Sequence, residues 1–570
     1  MSRLGERLHG LRWRLRANRR LWNKGTSASD PFLPVKHAPR EPVGEIDVPG
    51  AGADVVGPIF HVRGWALFPA SATERVEIFV DGEPLGKARL AHLRPDVAES
   101  WDIPEAMSSG FELALEREVV ELPEGPARLE VVATSVSGER HLLGPLQVTF
   151  TDREAVGAAG PREDSMPAPP TPTPTPTTGG GPEVVVFTHQ LGLGGAQLYL
   201  LDLARELVRT EAARITVLSA LDGSVRSDFE EIGVPVHIFG FLHEGLGAYV
   251  GRLEEMISWA QGREFDAALL NTATVMTVPG AEFAQLSGIP YVWAIHESFH
   301  PSVLWSVLQP QLRERAERAI AGADTLVFEA DATRELFEAE AGDARCLTLP
   351  YGLDLVAIDE ARSSFDMERE RDAAGIPIDA ELVVCIGTIE PRKAQNTLAQ
   401  AFDLVAARHP HAHLAFVGGR EDPECEALEQ LIAARGANGE RMHVIPITPD
   451  VHSWYGMADI LVCASDVESL PRTVLEAMGW ETPVLATNVF GLPELIDDGE
   501  TGWLCEPRDL RALADGLERA LSSSAEERQR IGRRSRELVE QRHSLPQYGR
   551  QISELLQAAI DAKKTHSQGR

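Results

Sequence analysis

The sequence predicts a multidomain chain, a small all-β sandwich followed by two doubly wound α/β domains. Three observations carry that prediction. Short strands of alternating apolar and polar residues fill 40–152, a Pro/Thr/Gly stretch at 153–182 interrupts the chain, and beyond it apolar runs alternate with helical segments in two successive series. The length of 570 residues allows roughly three to four domains. A hydrophobic fraction of 43% and a charged fraction of 25% are those of packed globular protein, so wholesale disorder is excluded.

The β region is read from its alternation. Val76, Ile78 and Val80 alternate with Glu77 and Phe79 up to the turn signal Asp81-Gly82. Phe111, Leu113 and Leu115 repeat the pattern, as do Leu129, Val131 and Ala133. Trp65 and Phe68 are read as packing residues rather than a sugar-stacking platform. The linker holds eight prolines in 161–182 and favours extended polyproline II ending in a glycine hinge.

In the first α/β series, the strand Glu183–Thr188 leads into a glycine-rich loop and a helix over Gln197–Val208. Strands follow at Ile215–Ser219, Ala267–Asn271, Tyr291–Ile295 and Thr325–Phe328. The second series runs Leu382–Gly387, Leu414–Val417, His443–Ile445, Ile460–Ala464 and Pro483–Ala486. Apolar strands alternating with amphipathic helices imply parallel sheets covered on both faces, with ligand outside the strands' carboxyl ends. The join falls near 355–380. The expected domains are therefore 40–152, 183–362 and 363–546, with 547–565 packing back onto the first α/β domain.

Charge and cysteine content narrow the function. A net charge of −32 disfavours general nucleic-acid binding. Residues 1–24 run against it, with eight basic groups and one acid. Leu4, Leu8, Leu11 and Leu15 share one helix face there, beside Trp13 and Trp22. Such a segment, bounded here as 1–27, suits an anionic membrane surface, or else is a solvated basic tail. No apolar run is long enough to span a bilayer, and no apolar stretch of a secretory signal follows the basic start. Five cysteines without a C-x-x-C pair fit a reducing cytoplasm.

Three loops carry candidate chemistry. Gly194 and Gly195 follow a strand and open a helix, where free N–H groups face an anion. The loop is neither a full G-x-G-x-x-G nor a P-loop. Arg392 and Lys393 follow the strand Leu382–Gly387, where adjacent cations suit a diphosphate. The stretch Glu468-Ser469-Leu470-Pro471-Arg472-Thr473-Val474-Leu475-Glu476 follows the strand Ile460–Ala464. Glu468 falls in the loop and Glu476 inside the helix, with the amides of Thr473 and Val474 near its N-terminus. His296 closes the strand Tyr291–Ile295. No D-x-D sequence and no metal-ligand spacing occurs, so no metal and no cofactor is expected.

These pieces resemble the retaining nucleotide-sugar glycosyltransferases of glycosyltransferase family 4, which have the GT-B fold of two Rossmann-like domains, over 183–565. The E-x7-E of Glu468 and Glu476, continued by A-M-G-W-E-T-P-V-L-A-T-N, is its most specific block. The resemblance implies that Glu468 contacts the donor sugar near the reacting centre and Glu476 the ribose hydroxyls. By the same resemblance Lys393 holds the diphosphate, Gly194-Gly195 lie near the donor phosphate and His296 contacts the sugar; Leu470, Thr473 and Val474 complete the donor site. Gly387-Thr388 replaces the family's usual Gly-Arg, leaving Arg392 or Arg472 for that phosphate. The β module is similar to Ig-like domains of some bacterial polysaccharide transferases. The implied activity is metal-independent transfer from a nucleotide diphosphate sugar to a glycan or lipid-linked acceptor. Rival readings are a nucleotide-sugar epimerase or hydrolase of the same fold and a non-catalytic glycan-binding scaffold.

Overall fold

The computed structural model describes residues 41–49, 53–56, 59–68, 71–92, 109–116, 125–151, 180–240, 246–306 and 308–568. The basic segment 1–24 and most of the linker lie outside them.

Two sheets build the N-terminal module. One orders Val43–Val48, Ile59–Leu67, Gly110–Glu116 and Arg89–His92; the other orders Asp54–Val56, Arg140–Thr151, Gly125–Ser135, Thr73–Val80 and Glu83–Lys87. The alternation read from sequence decides which side chains go inward. Phe60, Val62, Phe111 and Leu113 are buried from the first sheet, and Val76, Ile78, Val80, Leu129, Val131 and Ala133 from the second. Asp81 and Gly82 have φ of 50° and 86°, the two positive values that a tight hairpin between twisted strands requires. Phe68 is buried in the core and Trp65 half-buried.

The α/β half consists of two wholly parallel sheets. The first has seven strands, in spatial order Val236–Ile238, Arg214–Ser219, Glu183–Thr188, Ala267–Asn271, Tyr291–Ile295, Thr325–Phe328 and Arg345–Thr348. The second has six: Met442–Pro446, Ala412–Gly419, Glu381–Ile386, Ile460–Cys463, Val484–Thr487 and Trp503–Cys505. In each sheet the chain order reverses beside its first strand, which opens a crevice at the carboxyl ends. The three edge strands Val236–Ile238, Arg345–Thr348 and Trp503–Cys505 were not expected from the sequence. Each is only three or four residues long, too short for an apolar pattern to set it apart from loop.

Two helices, Leu355–Ser363 and Met367–Ala374, form the join, each capped by an aspartate side chain, Asp354 and Asp366. The last helix, Leu545–Gln568, returns to the first α/β domain. It buries Ile552, Leu556 and Ile560, and Tyr548 hydroxyl meets Tyr199 hydroxyl at 2.6 Å.

Candidate active site

Both crevices open into one cleft of about 570 Å³. Its C-terminal wall begins where the strand Glu381–Ile386 ends. Gly387 there has φ +146°, and a Cβ on Gly418 would stand 2.3 Å from the Gly387 carbonyl oxygen, so the two strand ends approach as only glycine permits. A single 3-10 turn, Pro391–Lys393, then delivers Arg392 and Lys393. The backbone N–H of Asp466 donates to the Arg392 carbonyl at 2.8 Å, which ties this turn to the loop carrying Glu468.

Glu468 is the hub of that wall. Its Oε1 accepts from Lys393 Nζ, from Arg392 at 3.1 Å and from the Ser465 hydroxyl at 3.0 Å. Burial alone would raise its pKa, but Lys393 and then Arg392 outweigh burial and hold the carboxyl below the usual range. Glu468 is therefore an anion at neutral pH, seated between two cations. Arg420, exposed at the end of the strand Ala412–Gly419, adds a third cation to the wall. No sequence pattern singled it out, because its relation to Lys393 arises only when the strands align.

The helix Arg472–Gly479 supplies Glu476, with Pro471 at its N-cap. Glu476 is buried; Oε1 accepts from Arg472 Nε at 2.6 Å and Oε2 from the Tyr455 hydroxyl at 2.7 Å. Each oxygen keeps a further lone pair. Arg472 also reaches Asp202 of the other domain at 2.6 Å. Arg472 and Arg392 each pair with two carboxylates, Arg392 with Glu390 at 2.7 Å and Glu468 at 3.1 Å, but Arg392 is half-exposed where Arg472 is nearly buried, so Arg392 and Arg420 are the arginines open to a phosphate. Leu470 and Thr473 border the cleft. Val474 departs from expectation: its side chain is fully buried and its N–H already donates to the Pro471 carbonyl at 3.0 Å.

The opposite wall comes from the first sheet. Gly194 is the N-cap of the helix Gly195–Arg209, and both glycines line the cleft. A Cβ on Gly195 would meet nothing within 4 Å, whereas one on Gly194 would press on Gln197 Oε1. Beneath the loop lies His189, which the sequence did not single out. It sits between the Thr272 hydroxyl at 2.9 Å and the Gln197 amide nitrogen at 3.3 Å. Burial, then His296, pushes its pKa down to about 4, so it is neutral.

His296 is in the opposite state. Its Nδ1 pairs with Glu329 and its Nε2 donates to Asn271 Oδ1 at 2.8 Å. Burial alone would lower its pKa, yet Glu329 overcomes burial and raises it. Both ring nitrogens are engaged within the protein, so a sugar hydroxyl reaches the ring only by displacing Asn271. The ring also packs edge-on against Tyr199, with centroids 4.5 Å apart. Among the described residues no group of three or more metal-ligating side chains converges, and no helix is long and apolar enough to cross a membrane.

Two parallel α/β domains facing each other across such a cleft define a GT-B-like fold. Residues 194–352 match the family Glycosyl transferase 4-like domain, and residues 366–538 match Glycosyl transferases group 1. The α/β half of this chain carries one domain of each. The D-inositol 3-phosphate glycosyltransferase of Paenarthrobacter aurescens (strain TC1) is 30% identical over 275 residues, 45% of this chain and 65% of that protein. The GDP-mannose-dependent alpha-(1-6)-phosphatidylinositol monomannoside mannosyltransferase of Mycolicibacterium smegmatis is 30% identical over 222 residues, 37% of this chain and 56% of that protein. The chain thus spans less than two-thirds of either relative's length. The crystal structure of Anabaena HepE in complex with UDP-glucose has the same fold, with a TM-score of 0.57 at 21% identity, covering 66% of this chain and 100% of that one.

Proposed function

We propose that the protein transfers a sugar from a nucleotide diphosphate sugar to a glycan or lipid-linked acceptor, with retention of anomeric configuration. One observation carries this reading. Lys393, Arg392 and Arg420 stand at the carboxyl ends of the C-terminal sheet, opposite the helix N-terminus at Gly194-Gly195. Convergent cations facing helix amides suit a diphosphate leaving group, and stabilising the charge that develops there is the main catalytic contribution expected.

In the proposed step, the bond from the anomeric carbon to the diphosphate oxygen breaks and its electron pair leaves with the diphosphate. Lys393, Arg392 and Arg420 hold that charge. The acceptor hydroxyl bonds to the same carbon from the leaving group's face and its proton passes to the departing phosphate. Glu468 positions the sugar and steadies positive charge on its ring; Glu476 takes the ribose hydroxyls through its remaining lone pairs. No protein nucleophile takes part. The chain's own cations do the work a metal ion would otherwise do, so EDTA is expected to leave turnover unchanged. Closure of the two domains excludes water and limits hydrolysis.

The names of the two curated relatives, one using GDP-mannose, and the UDP-glucose complex of HepE support a nucleotide-sugar donor. The setting we propose is cell-surface polysaccharide synthesis at the inner face of the membrane, with residues 1–24 drawn to anionic lipid and the β module folded as an Ig-like sandwich. Turnover with a panel of nucleotide sugars, followed by proton NMR of the first-formed product, tests the reaction. The donor's anomeric configuration in the product is the expected result; an inverted product or sugar released only as hydrolysate contradicts it.

A further inference from the structure

The two walls of the cleft differ in charge, and the difference bears on the acceptor. All four Lys and Arg side chains that line it, Arg392, Lys393, Arg420 and Arg472, come from the C-terminal domain. Among the described residues, no Lys or Arg of 183–355 lines the cleft, and the residues of that range outside the description, 241–245 and 307, contain none. Arginines of the first domain are spent within it. Arg205 pairs with Asp202, Arg209 with Glu206, Arg226 with Asp222 and Glu230, and Arg315 with Glu282. The acids of the C-terminal wall, Glu390, Glu468 and Glu476, each stand beside one of those cations, whereas the first domain adds Glu297, whose pKa burial raises, and Glu329, whose partner is His296.

The same wall offers groups suited to an uncharged polyol. The Gln190 side-chain amide lines it with no hydrogen-bond partner among the described residues, ready to meet hydroxyls as donor and acceptor. Phe299 presents a half-buried aromatic side chain to the cleft, a surface on which the C–H face of a pyranose packs.

We infer that the acceptor is an uncharged saccharide bound against Gln190 and Phe299, and that this wall rejects phosphorylated polyols. The inference rests on the donor reading above, because it is the diphosphate that occupies the cationic wall. It separates this chain from relatives named for an inositol phosphate acceptor. An anion placed on this wall finds no Lys or Arg to replace its hydration, the His296 ring is already paired with Glu329, and the remaining acid, Glu297, gives it no favourable charge.

The test pairs acceptors that differ only in phosphate, glucose against glucose 6-phosphate and myo-inositol against myo-inositol 3-phosphate, using the donor the full-length protein turns over. The expected kcat/KM favours each uncharged member by about tenfold or more, with the gap narrowing as salt is raised. Phe299→Ala is expected to raise the KM for the uncharged acceptor with donor KM unchanged. Gln190→Lys is expected to improve use of the phosphorylated member, a gain that loss of folding cannot mimic. Equal or preferred use of a phosphorylated acceptor overturns the inference, as does a failure of both uncharged polyols and a panel of neutral methyl glycosides to accept sugar. Calorimetry with the nucleoside diphosphate on the same samples separates the two claims. Protein that binds nucleotide but prefers a phosphorylated acceptor loses only the acceptor claim; protein that binds none loses the donor reading.

Discussion

His296 and Glu468 show how two groups in one cleft are set to opposite charges by their neighbours. For His296 the raised pKa belongs to the folded state, so the pair with Glu329 stabilises fully below the ordinary histidine value and fades as pH rises through the raised one. Glu468 runs the other way. Its depressed pKa gives stability above the ordinary carboxylate value that is lost as pH falls through the folded one. Replacing Glu329→Gln removes the anion that opposes burial, so the His296 pKa is expected to fall below its ordinary value, as His189 already does. Proton NMR of the imidazole signals checks it; an unchanged titration would show that Glu329 does not set the charge. The places of Lys393, Glu468 and Glu476 on the cleft were readable because each sits in a local strand–loop–helix pattern. Arg420 and the Asp202–Arg472 link were not, since residues so far apart in sequence leave no local signature.

At the scale of elements, the central strands were legible, and of the four edges of the parallel sheets only Met442–Pro446 was. Glu183–Thr188 and Glu381–Ile386 are covered on both faces, so nearly every residue is apolar. The edge strand Arg345–Thr348 is mostly half-buried, and its four residues read as loop. Two glycines at element ends separate folding from binding. Gly418→Ala forces a Cβ against the Gly387 carbonyl at positive φ, and is expected to cost about 1–3 kcal/mol in a denaturant melt. Gly195→Ala places a methyl in open space at the start of a helix, so stability should hold while donor affinity falls. A Gly418→Ala protein as stable as the parent would refute the close approach.

Over the whole molecule, a few polar links join the domains. Arg472 bridges Asp202 and Glu476, the Glu494 carboxylate accepts from the N–H groups of Asp331 and Ala332 at 2.9 and 2.8 Å, and Thr333 hydroxyl meets Ser469 hydroxyl at 3.0 Å. The β module touches the C-terminal domain through Lys87 and Asp509, 3.2 Å apart. Asp202→Asn weakens one arm of the buried Arg472 bridge without touching the donor. Donor KM is expected to rise by about tenfold, with kcat at saturation changing less. Equal loss in kcat alone would place Asp202's effect in the chemical step instead.

The central claim is that the cationic wall binds a nucleoside diphosphate. Isothermal titration of UDP, GDP, ADP and CDP in the presence of EDTA, on the full chain and on Lys393→Ala, tests it most directly. The account predicts that one nucleotide binds the parent and that Lys393→Ala weakens it by about tenfold or more, the loss of a charge-assisted contact. Folded parent protein that binds none of the four, or binding that Lys393→Ala leaves unchanged, would contradict it.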